Sequence, residues 1–74
     1  MDINNTKNKL INGGVKNWQA FLFCESPQDI DRLVEKLTAR IEDMKNDGIA
    51  PFVYQPYIET IAEAAKAKAS IEKG

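Results

Sequence analysis

Between residues 30 and 44 the large apolar side chains fall at Ile30, Leu33, Val34, Leu37, Ile41 and Met44. That spacing runs a single stripe along one face of an α-helix. Ser26-Pro27-Gln28-Asp29 precedes the stripe: a hydroxyl N-cap, a proline at the first helical position and an acid at the third. Each of these suits a helix start, where free N–H groups need acceptors and negative charge is favoured. Asn46-Asp47-Gly48 closes the segment. The pattern predicts a rod of about twenty residues, roughly 30 Å long. Ile30, Val34, Leu37, Ile41 and Met44 also keep the alternating four-and-three spacing of helical bundles.

The flanking segments read less sharply. Ile3, Lys7, Leu10 and Ile11 line one helical face, and Gly13-Gly14 supplies a stop. Asparagine is a mediocre helix former, so residues 1–14 are expected as a short helix or an ordered arm. Over 15–24, Val15, Trp18, Phe21 and Leu22 fit a helical stripe. An alternating reading of the same stretch would need cover on both faces of a strand, which so short a chain can hardly provide. A second short helix is therefore expected. Residues 49–56 carry Pro51 and Pro56 among strand-favouring side chains and read as an extended connector that lays Phe52 and Tyr54 on the core. From Pro56 a last helix is expected to about Glu72. Ile58, Ile61, Ala62, Ala65 and Ala69 would face inward, with Glu59, Glu63, Lys66, Ser70 and Lys73 opposite.

These elements give an all-α fold, a small helical bundle in one domain spanning 1–74, with residues 15–74 as its core. The alternative is α+β, with 17–24 and 50–54 as a minimal strand pair. Seventy-four residues bury a thin core, and chains of this size gain stability from disulfides, metals, self-association or tight helix packing. Cys24 is the single cysteine and histidine is absent, which excludes an internal disulfide and the usual zinc ligand sets. The longest apolar run, Ala20 to Cys24, is far too short to span a bilayer, and one unpaired thiol suits a reducing compartment. The expected setting is the cytoplasm, with no membrane role and no cofactor.

Chemistry is sparse. Cys24 has no histidine base and reads as a small buried hydrophobe. Gly13-Gly14 lacks the surrounding pattern of a phosphate loop. The six aromatic residues have too few interleaved bases for a nucleic-acid stacking platform and are expected mainly in the core. No catalytic residue is expected, and no metal site.

Charge adds one feature. The net charge of −1 hides an uneven distribution. Residues 1–16 carry Lys7, Lys9 and Lys16 against Asp2, whereas residues 25–48 carry seven acids against four bases. Placed at about 100° per residue, Asp31, Glu35 and Glu42 lie on one flank of the long helix's apolar stripe. Arg32, Lys36 and Arg40 lie on the other, diluted by Asp29 and Asp43. Opposite charges across an apolar seam centred on Leu37 resemble the flanks that orient paired helices. The expected function is thus that of a small non-enzymatic protein-binding module, such as an inhibitor, adaptor or antitoxin-like regulator, that also self-associates. The alternative is nucleic-acid or nucleotide binding through Lys7, Lys9 and Lys16.

Overall fold

The computed structural model describes residues 3–73, the side chain of Lys73 excepted, and its elements are helical throughout. Helix α1 spans Ile3–Asn12, a 3₁₀ turn spans Trp18–Phe21, α2 spans Pro27–Asn46 and α3 spans Pro51–Lys73. The all-α expectation holds, and no strand forms among the described residues. The expectation of an outward Lys73 lies outside the described side chains.

Helix α2 starts and stops as its sequence dictates. The Ser26 hydroxyl accepts the Asp29 N–H, and the Asp29 carboxylate accepts the Glu25 N–H at 3.0 Å. At the other end Gly48 takes a positive φ of 74°, which lets its N–H reach the Lys45 carbonyl and the Ile49 N–H reach that of Met44. Helix α1 ends in the same way. Gly14, at φ 77°, donates to Ile11, and Val15 donates to Leu10. Glycine at these two positions avoids the left-handed cost that any other residue would carry.

Helices α2 and α3 form an antiparallel hairpin, tied at one level by Lys68 Nζ on Asp31 Oδ1 at 2.9 Å. At its lower end, where α2 begins and α3 finishes, α1 and the 3₁₀ turn cover the hairpin. Leu10, Val15, Phe21, Cys24, Ile30, Ala64 and Ala67 make a shared core there, with Trp18, Leu33, Val34 and Ile71 packed around it. The upper end holds a smaller cluster of Ile41, Met44 and Tyr54, flanked by Tyr57 and Ile61. The result is elongated, 40 × 19 × 17 Å. Its accessible surface of 4956 Å² exceeds the roughly 4,600 Å² expected for a compact 8.3 kDa protein.

Three expectations need correction. Residues 15–24 do not form a second α-helix; a single 3₁₀ turn interrupts irregular chain. The residues directed at the core, Val15, Trp18, Phe21 and Cys24, are spaced by three, the period of the 3₁₀ helix rather than the 3.6 of an α-helix. Residues 49–56 are not an extended connector. Helix α3 begins at Pro51, a favourable first-turn position for proline, and runs through Pro56. The proline ring removes one N–H there, so the Phe52 carbonyl loses its intrahelical partner. Packing of Tyr54, Tyr57 and Ile61 on α2 offsets that loss. The inner face of α3 is also rotated from the one expected. Tyr54, Thr60, Ala64, Ala67 and Ser70 are buried, whereas Ala62, Ala65 and Ala69 are exposed. An alanine-rich helix offers small apolar residues on every side, so Tyr54 on the extra turn, together with Tyr57, decides which side packs.

Candidate functional site

Two stripes run along α3. One faces α2. The other consists of Thr60, Glu63, Ala67 and Ser70, and it receives the N-terminal segment. Asn17 Nδ2 donates to Thr60 Oγ1 at 3.3 Å, and the Lys16 N–H donates to Glu63 Oε1 at 2.9 Å. Leu10 joins the cluster that contains Ala67. Gly13 comes so close to α3 that a Cβ built on it would lie 2.9 Å from that of Ser70. Both buried hydroxyls on this stripe are satisfied within the helix: Thr60 donates to the Pro56 carbonyl at 2.9 Å and Ser70 to that of Lys66 at 2.8 Å.

Continued upward with the same spacing, this second stripe reaches Pro56 and Val53. Asn17 on Thr60 ties the N-terminal segment to α3 one turn above Lys16 on Glu63. Above it several large apolar residues stand exposed among polar ones. Val53 is 46% exposed and Phe52, beside it, 79%, while Ile49 at the hairpin turn and Ile58 are also exposed. Phe52 therefore does not lie on the core as its sequence context suggests, although Tyr54 does, at 6% exposure. Phe23, in the chain between the 3₁₀ turn and α2, is the second aromatic ring left in solvent, at 71%.

The edge of α2 that borders this uncovered region follows from the same geometry. Asp31 meets Lys68 on one side of the hairpin, and Leu33 enters the lower core on the other. Lys36 and Arg40 follow Leu33 up that second edge at helical spacing, with Leu37 half-buried between the edges. Arg32 pairs locally with Asp29 at 3.5 Å. Glu35 and Glu42, in line with Asp31, are exposed. The two charged flanks thus lie on opposite sides of the hairpin, and the apolar stripe between them is taken up by α3.

The three lysines of the N-terminal segment do not converge. Lys7 lies over the Trp18 ring, 5.2 Å from its centroid, and Lys9 is half-buried on α1. Lys16 lines an open depression of about 390 Å³ with Asn17, Glu59, Ala62, Glu63 and Lys66. Within it, the Lys16 N–H holds the Glu63 carboxyl below its ordinary range, and Lys66, 3.6 Å away, adds to this. Two carboxylates facing two ammonium groups leave this depression without a marked preference for anions. The Cys24 thiol is pushed up by burial and by the neighbouring Asp29 carboxylate, which keeps it protonated. No group of three metal-ligating side chains occurs among the described residues, and no described helix is long and apolar enough to cross a membrane.

The exposed apolar end is the feature that sequence reasoning missed. Its signal was present in Pro51, since proline at a helix start would have drawn the helix back to include Phe52 and turned that ring away from Tyr54. No protein-family model matches the chain, and neither the curated proteins nor the solved structures include one that is significantly similar to it.

Proposed function

We propose that this chain is a small cytoplasmic protein-binding module whose docking face is the uncovered upper half of the α2–α3 hairpin. One observation carries the reading. Ile49, Phe52 and Val53 are exposed together at one end of a molecule whose other end is covered by its own N-terminal segment. Burying a phenylalanine that would otherwise stand in water contributes about 1.5–3 kcal/mol, and aromatic anchors of this kind dominate protein interfaces. Leu37 lies in the same half, and Lys36 and Arg40 border it, where they can select a partner's orientation and contribute less to affinity.

A photo-crosslinking residue placed at position 52 in the native host tests the reading, with the same residue at the exposed Gln28 as the control. The expected result is a discrete protein adduct from position 52 and none from position 28. Absence of any adduct at 52, or equal labelling at both positions, would refute it.

A further inference from the structure

We draw no further inference here: the strongest candidate, the exposed apolar patch of Ile49, Phe52 and Val53 at the upper end of the α2–α3 hairpin, belongs to the docking face already described, and nothing in the structure shows what covers it.

Discussion

Replacing Pro56 with Ala should stabilise the protein, and the reason lies in where α3 begins. Proline in a helix interior is about 3 kcal/mol less favourable than alanine, through its missing N–H and the clash of its ring with the preceding turn. In α3, Pro56 is the sixth residue of a helix that starts at Pro51, so the substitution returns a donor to the Phe52 carbonyl. The ring is exposed, so little packing is lost with it. Against the gain stands the greater freedom of the unfolded chain without proline, about 0.4–1 kcal/mol. The net is about 2 kcal/mol. For a domain of this size each kcal/mol moves the melting temperature by about 4–8 °C, which puts the expected rise at roughly 8–16 °C. A thermal melt followed by circular dichroism measures it. If the helix instead began at Pro56, the proline would occupy its preferred first position, and replacing it would leave the melting temperature unchanged or lower it. Either of those outcomes would refute the course of the chain through residues 51–56.

Three further outcomes follow from the packing of the N-terminal segment. Gly13→Ala should destabilise by about 1–3 kcal/mol, since the added Cβ meets Ser70; urea denaturation measures the loss, and Ser70→Gly in the same chain should reduce the cost of the alanine. Acid should loosen the segment. The Glu63 carboxyl titrates below its unfolded value, so its contribution is present above that value and is lost as pH falls through the folded one. Trp18 fluorescence should report the change, and in Glu63→Gln, where the acceptor no longer titrates, this transition should be absent. Finally, the Cys24 thiol should react with iodoacetamide at pH 8 at least about tenfold more slowly in the folded chain than in denaturant, because burial shields it and keeps it protonated. Equal rates would contradict its placement in the core.

Helix α2 was legible because every level agreed on it. Ser26 and Pro27 mark its start, Gly48 allows the left-handed stop, and the stripe from Ile30 to Met44 faces one way. The Gly13-Gly14 stop of α1 was legible for the same reason. Other parts were ambiguous in one dimension and settled in three. Val15, Trp18, Phe21 and Cys24 satisfy an α-helical template only approximately, and their interval of three shows itself as a 3₁₀ turn once Lys16 and Asn17 are tied to α3. Pro51 and Pro56 suggested extended chain, because a proline five residues into a helix costs stability that only tertiary packing can offset. The alanines of α3 gave no preferred face, so Thr60 and Ser70 were not recognisable as buried positions; their hydroxyls are accommodated by bonds to their own helix. The charged flanks of α2 follow from helical spacing alone, and Arg32 pairs within its own helix with Asp29. What the sequence alone did not reveal is that the N-terminal segment covers only one half of the hairpin, because that depends on the long-range contacts of Asn17 and Lys16.

Radical footprinting compares directly how far the upper hairpin is covered in the cell and in isolation. The oxidation of Phe52 would be measured in the native host and in dilute purified protein, with the exposed Gln28 as the internal reference. If the uncovered half of the hairpin is a docking face, Phe52 is protected in the cell relative to the dilute protein, while the reference reacts equally in both. Equal reactivity of Phe52 in the two settings would mean that nothing docks there, and would contradict the proposed function at its root.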